Sequence, residues 1–361
     1  MKDNEPFQLE TQLKEKRSKV DVTHVSFSTR ELVRMYIDGE LIIAPSYQRK
    51  YRWPPEVASK FIESLFLGLP IPPVFVATND NFSWEVVDGL QRISTLILYM
   101  ADDTDVRQSV STPKALKLQG LEILTDLNGK CFQELPQPLK LHLARQALQV
   151  IALTDKSDKT VRFDLFERLN TGSISLSPQE VRTAVYGGKF LSFIETLSQD
   201  ENFNTLLKLQ KKNKDDGTKA EQVLKYFAYK NNAEEFTGAV TTFLNEFANS
   251  MNDNASEFDY NKEEYLFRET MKFLSKIMDG KYFLRRGTKV TPLVQFEAAA
   301  VGIGTLIEEG KEPIAPECDW LNDSTLVDSS TGGSNTRSML SRRILRAKQI
   351  FSGETNVLPE S

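Results

Sequence analysis

The chain has 361 residues, a formal net charge of −5, 40% hydrophobic and 26% charged residues, an ordinary globular make-up with room for two or three domains. Wholesale disorder is excluded, and without bulk positive charge any nucleic-acid contact has to rest on local basic patches. Two cysteines, Cys131 and Cys318, and two histidines, His24 and His142, exclude a disulfide framework and a four-cysteine zinc site, and leave no histidine-based catalytic machinery.

Residues 1–25 are charged, lack the apolar core of a signal peptide and read as a mobile polar leader. A short helix is predicted over Thr29–Ile37, followed through Asp38-Gly39 by a strand at Leu41–Ile43. Pro54-Pro55-Glu56 opens a helix, since proline is tolerated where the missing N–H has no intrahelical partner. Gly68 and Pro70 end it. Strands follow at Pro73–Ala77 and Ser83–Val87. The apolar stretch Leu65–Ala77 holds three prolines and falls short of the roughly 18 residues a membrane helix needs. A cytoplasmic protein with no membrane partner is expected.

Ile93, Leu96, Ile97 and Met100 recur at helical spacing and predict an amphipathic helix starting near residue 90. Helices are further predicted over Leu139–Gln149, then at 189–198, 220–231, 235–250, 261–279 and 292–308, with a strand at Val150–Leu153. Ser177-Pro178-Gln179-Glu180 combines an N-cap serine, a first-turn proline and a glutamate three residues on. Asp328–Asn335 reads as a linker before a last helix, 336–351. The division expected is a leader (1–25), an α/β domain (26–155), a helical domain (156–327), and the linker with its C-terminal helix (328–361).

Two motifs carry chemistry. In Val86-Val87-Asp88-Gly89-Leu90-Gln91-Arg92 a strand turns through Asp-Gly into a helix, where backbone N–H groups lack intrahelical partners. As a phosphate site, the free amides and the helix dipole would favour an anion. Gly89 would allow close approach, Arg92 would add a bidentate cation, and Asp88 would hold Mg²⁺ or orient water. The plainer alternative is a capping box, with Asp88 bonding the Gln91 amide and Gln91 reaching back. The second motif, Tyr47-Gln48-Arg49-Lys50-Tyr51-Arg52-Trp53, interleaves cations with aromatics, which suits phosphate contact and base stacking. A solvated basic turn with Trp53 in the core accounts for it equally.

Together these blocks bring a family into view. Pro45-x-Tyr47-Gln48-Arg49-x-Tyr51-x-Trp53, then Ile62-Glu63-Ser64-Leu65-x-x-Gly68-x-Pro70-Ile71-Pro72-Pro73, then Val87-Asp88-Gly89-Leu90-Gln91-Arg92-x-x-Thr95-Leu96 resemble the N-terminal domain of the GmrSD-type, modification-dependent restriction endonucleases. Phe166-Glu167-Arg168-Leu169-Asn170-Thr171-Gly172, with Leu176-Ser177 and Glu180-Val181-Arg182, is similar to that family's downstream block. The resemblance implies an α+β chain: a ParB/sulfiredoxin-like mixed-sheet domain followed by a mostly helical one. It implies binding and hydrolysis of a nucleoside triphosphate with Mg²⁺, coupled to sensing modified DNA in a prokaryotic defence system. By position it assigns Asp88 and Arg92 to catalysis, with Asp88 as metal ligand. Gln48, Arg49, Gly89, Gln91, Arg92 and Asn170 fall to the nucleotide. Leu90 stands where the family usually has Gln.

The large proteins of this type also carry a His-Asn-His nuclease domain. No histidine follows His142, so intrinsic cleavage is not expected and a separate nuclease or restriction subunit is the implied partner, with oligomers open. No Gly-x-x-x-x-Gly-Lys-Ser/Thr loop exists. The alternative is a DNA-binding or scaffolding protein whose Asp-Gly turn is only structural. Residues 336–352 hold five cations and no acid. Leu340, Ile344, Ala347 and Phe351 form an apolar stripe from which Arg342 and Arg346 point away. With Arg52, these two arginines are the expected DNA contacts.

Overall fold

The computed structural model describes residues 21–43, 51–79, 81–154, 163–165, 167–168, 177–213, 216–253, 258–317, 319–333 and 335–353. The chain divides into two compact units, Met1–Ser175 and Leu176–Ser361. The first is mixed α/β and the second helical, as the motifs implied.

In the first unit, β1 (Val22–Ser28) leads into α1 (Thr29–Ile37), whose first turn is capped by the Ser28 hydroxyl accepting from the Glu31 amide at 3.1 Å. Next come β2 (Leu41–Ile42), α2 (Pro55–Phe66), β3 (Val74–Thr78), β4 (Trp84–Asp88) and α3 (Leu90–Met100). α4 (Thr104–Val110), α5 (Gln137–Ala144) and β5 (Ala147–Leu153) complete it. The sheet order is β1-β5-β3-β4-β2, with β1/β5 and β3/β4 antiparallel and β5/β3 and β4/β2 parallel. Alternate residues share a sheet face. Val74, Val76, Val86, Leu148, Val150 and Ala152 are buried in one cluster with Ile62 and Leu65 of α2 and Ile93, Leu96 and Ile97 of α3.

Val22–Val25, placed in the leader on sequence grounds, belong to β1 and pair with β5. The strand is at the sheet edge and largely exposed, so its polar residues are compatible with pairing and gave no strand signal. Similarly, the helix expected over 139–149 is α5 at Gln137–Ala144, and β5 already starts at Ala147.

The second unit contains α6 (Pro178–Tyr186), α7 (Lys189–Leu197), α8 (Glu201–Leu206), α9 (Thr218–Asn232), α10 (Val240–Asp253), α11 (Tyr260–Ile277), α12 (Leu293–Glu308), α13 (Ser324–Asp328) and α14 (Arg337–Ser352). The expected cap forms at α6: the Ser177 hydroxyl accepts the Glu180 amide at 3.1 Å, and Glu180 accepts the Ser177 amide at 2.7 Å. Arg182, fully buried, donates to Asn245 at 2.9 Å and lies 3.6 Å from Glu221. Lys225 bridges Glu221 and Glu297 at 3.1 and 3.2 Å. This chain of charges ties α6, α9 and α12 together.

The C-terminal helix departs from expectation in one respect. Leu340, Ala347 and Phe351 are buried as the stripe required, and α14 crosses α12 closely at Gly302, where a Cβ would sit 2.8 Å from the Lys348 amide nitrogen. Arg342 is exposed, but Arg346 is buried, pairing with Asp323 through Nη2 at 2.8 Å and Nε at 3.2 Å. The apolar stripe is wider than the four residues that announced it, so Arg346 falls inside the contact. Among the described residues no helix is long and apolar enough to cross a membrane.

Candidate functional site

The Asp-Gly turn closes β4 and opens α3. The register between β3 and β4 slips there: Phe75 faces Asp88, yet Val76 faces Val86. Val87 is the extra residue, and such a bulge re-aims the strand end. Gly89 follows at φ +100°, in the left-handed region that favours glycine. A Cβ there would lie 3.0 Å from Val74 Cγ2.

The capping box does not form. Gly89 is the N-cap residue of α3, and no side chain caps the helix. Asp88 instead accepts from Arg92 Nη2 at 2.8 Å. Gln91 turns the other way, its Oε1 accepting the backbone amides of Arg52 and Trp53 at 2.9 and 3.2 Å. Asp88, which would have accepted a first-turn amide, and Gln91, which would have reached back, are both spent elsewhere. The first helical bond of the turn runs from the Ile93 amide to the Gly89 carbonyl, which leaves the Leu90, Gln91 and Arg92 amides at the positive end of the dipole.

Arg92 is placed otherwise than the sequence suggested. Its Nη1 donates to the carbonyls of Pro72 and Pro73, its Nη2 to Asp88, and its side chain is 11% exposed. Burial lowers the guanidinium pKa, and the Asp88 carboxylate opposes that shift. The fork that would clamp a phosphate therefore holds the Pro72-Pro73 loop and the Asp88 carboxylate in fixed positions. Asp88 is left partly exposed.

The two motifs meet at this helix. Besides the Gln91 bonds, the Tyr51 hydroxyl lies 3.0 Å from Thr95 Oγ1, and Thr95 in turn donates to the Gln91 carbonyl at 2.7 Å. Trp53 packs edge-on against Phe61 at 5.6 Å, half-buried rather than solvated, while the Arg52 side chain is exposed. Gln48 and Arg49 of the same motif, and Asn170 downstream, lie outside the described residues. Beyond Tyr51 and Trp53 opens a cavity of about 680 Å³, also walled by Leu98 and the 111–117 loop. Among the described residues its charged lining is Arg107, Lys114 and Lys117, with no acid. Sequence reasoning missed this cavity, because the 102–135 region reads only as polar loop.

The histidines and the thiol serve elsewhere. His142 Nε2 donates to the Phe66 carbonyl at 3.0 Å and its ring stacks on Phe66. Cys131 is a free, half-buried thiol whose pKa burial pushes up, the behaviour of an unreactive cysteine. Cys318 lies outside the described residues. Among the described residues no group of three His, Cys, Asp or Glu side chains gathers as a metal site.

A mixed sheet whose fourth strand passes through Asp-Gly into an uncapped helix defines the class of domain. Residues 29–187 match the family model described as GmrSD restriction endonuclease, N-terminal domain. That match supports a role in a restriction or defence system. No curated protein and no solved structure matches the chain.

Proposed function

We propose that the first unit binds a nucleoside triphosphate at the Asp88-Gly89 turn and hydrolyses it as the sensor module of a restriction system acting on DNA, with cleavage left to a separate nuclease. The observation that carries this reading is the uncapped start of α3. Its donors follow a turn that Gly89 makes possible by taking a left-handed backbone, and helix N-termini of this kind are ready anion sites. The cavity beside Tyr51 and Trp53 supports it: aromatic walls and cations without an acid suit a base attached to phosphates.

The residues fit a magnesium nucleotide in a limited way. Mg²⁺ commonly takes one or two protein carboxylates together with phosphates and waters. Asp88 supplies one, its Oδ2 engaged by Arg92. When bound, the ion would neutralise charge on the phosphates. Arg92 positions Asp88 and the Pro72-Pro73 loop rather than clamping the phosphate itself. Gln91 holds Arg52 and Trp53 against the site, and Gln48, Arg49 and Asn170 are assigned to the nucleotide by family position alone. Exposed Arg52 and Arg342 remain candidates for DNA contact, whereas Arg346 is withdrawn.

Isothermal calorimetry with ATP, GTP, CTP and UTP, followed by phosphate-release assays with and without DNA, tests the reading. Binding with no turnover under any condition would favour the scaffolding alternative.

A further inference from the structure

We propose that a basic patch formed by two loops of the helical unit, 207–211 and 281–289, is the surface on which this chain holds the DNA phosphate backbone. The inference rests on the reading that the protein acts on DNA, and adds where.

Apart from a 3-10 turn that begins at Lys211, neither loop has regular secondary structure, yet both are fixed. The Phe283 amide donates to the Leu206 carbonyl at 2.8 Å and the Thr291 amide to the Lys208 carbonyl at 3.0 Å. The Lys208 amide donates to Thr291 Oγ1 at 2.9 Å. Phe283, fully buried, anchors the second loop edge-on against Phe296 and Trp320, each at 5.5 Å. The Arg285–Thr288 turn is closed by the Thr288 amide on the Arg285 carbonyl at 3.1 Å, with Gly287 at φ +83°.

This framework brings together cations that are distant in sequence. Lys208 and Lys211 are exposed on the first loop, and Lys281, Arg286 and Lys289 on the second. Residues 206–213 and 280–290 contain no Asp or Glu. Among the described residues, two carboxylates pair with the patch, Asp279 with Lys281 at 3.0 Å and Asp319 with Arg286 at 3.3 Å. Both pairs are exposed, so they hold these cations weakly and yield them to a phosphate. Tyr282, about half exposed, lies with Lys208 Nζ 5.9 Å above its ring.

In a chain of net −5, such a concentration of cations on rigid loops fits a polyanion of regular spacing. Lysines and arginines on phosphates position a duplex without reading its sequence. On α14, by contrast, Arg343 and Arg346 are buried and Lys348 pairs with Glu309, which takes up three of the five cations that the sequence offered there.

The test is duplex-DNA binding by the full chain across a salt series, comparing wild type with Lys208→Gln, Arg286→Gln and Lys289→Gln combined, and with Arg342→Gln. Each lost phosphate contact should lower the slope of log K against log salt by about 0.9, so by about 2.7 if all three touch phosphate. The unfolding temperature should hold, since these side chains are exposed. Wild-type binding with an unchanged slope in the triple variant would overturn the patch and leave the DNA reading standing. No binding by wild type would remove the DNA reading and the patch with it. Displacement of DNA by poly-glutamate at equal charge concentration would reassign the patch to acidic protein and overturn the proposal.

Discussion

The Gln91 side-chain carbonyl accepts the backbone amide of Arg52 at 2.9 Å, across 39 residues of sequence. This bond, with its companion to Trp53, joins the basic-aromatic segment to the helix that follows the Asp-Gly turn. Gln91→Ala should cost roughly 1–3 kcal/mol for two lost hydrogen bonds and speed hydrogen exchange at the Arg52 and Trp53 amides. Gln91→Glu keeps an acceptor and should retain most of the protection. Unaltered exchange in the alanine variant would show the tie to be idle.

Arg92→Ala should act first on the fold. It leaves the Pro72 and Pro73 carbonyls and the Asp88 carboxylate without their donor, at about 1.5–3 kcal/mol for a hydrogen bond to a charged group. Chemical denaturation without nucleotide reads this directly. A variant as stable as wild type would mean that the guanidinium is free to serve a ligand after all.

Glu85 on β4 gives the α/β unit a pH signature. Burial raises its pKa to about 7, against about 4.3 for an ordinary glutamate. With the folded value above the unfolded one, its contribution is complete below about pH 4.3 and is lost as pH rises toward 7. The loss reaches about 4 kcal/mol at most. Denaturation of wild type and Glu85→Gln from pH 5 to 8 checks this: the variant should lack the decline and be the more stable at pH 8.

Arg346→Gln should destabilise the helical unit and leave DNA binding to the folded protein alone. Removing one partner of a buried ion pair costs about 3–5 kcal/mol, and the pair with Asp323 is nine-tenths buried on the arginine side. The companion Arg342→Gln, on an exposed position, should be nearly silent in stability. Equal stability for the two variants would contradict the burial of Arg346.

Much of this architecture could be read from residues whose signal is local. The strands at Val74–Thr78 and Trp84–Asp88 and the helix at Leu90–Met100 fall within a residue of their periodic patterns. Asp88, Gly89, Gln91 and Arg92 were legible as a group, but their bonding was not. Asp-x-x-Gln fits a capping box in one dimension, and only the nearby Arg92, Pro72 and Arg52 divert both side chains from it. The same limit hid the basic patch. Lys208 and Lys289 lie on separate loops with no shared period. Arg346 was misjudged because four apolar residues mark the centre of a helix contact but not its width.

The most direct measurement is calorimetric titration of the four nucleoside triphosphates, with Mg²⁺, into the wild-type chain and into Gly89→Ala. At φ +100° and with Val74 Cγ2 3.0 Å and Arg92 Nη2 3.3 Å from the new Cβ, the alanine should cost about 1–3 kcal/mol in backbone strain and disturb the turn that presents the free amides. The expected result is saturable binding of at least one triphosphate by wild type, sharply weakened in Gly89→Ala at a temperature where that variant remains folded. Absence of binding for all four, or undiminished binding by folded Gly89→Ala, would contradict a nucleotide site at the Asp-Gly turn.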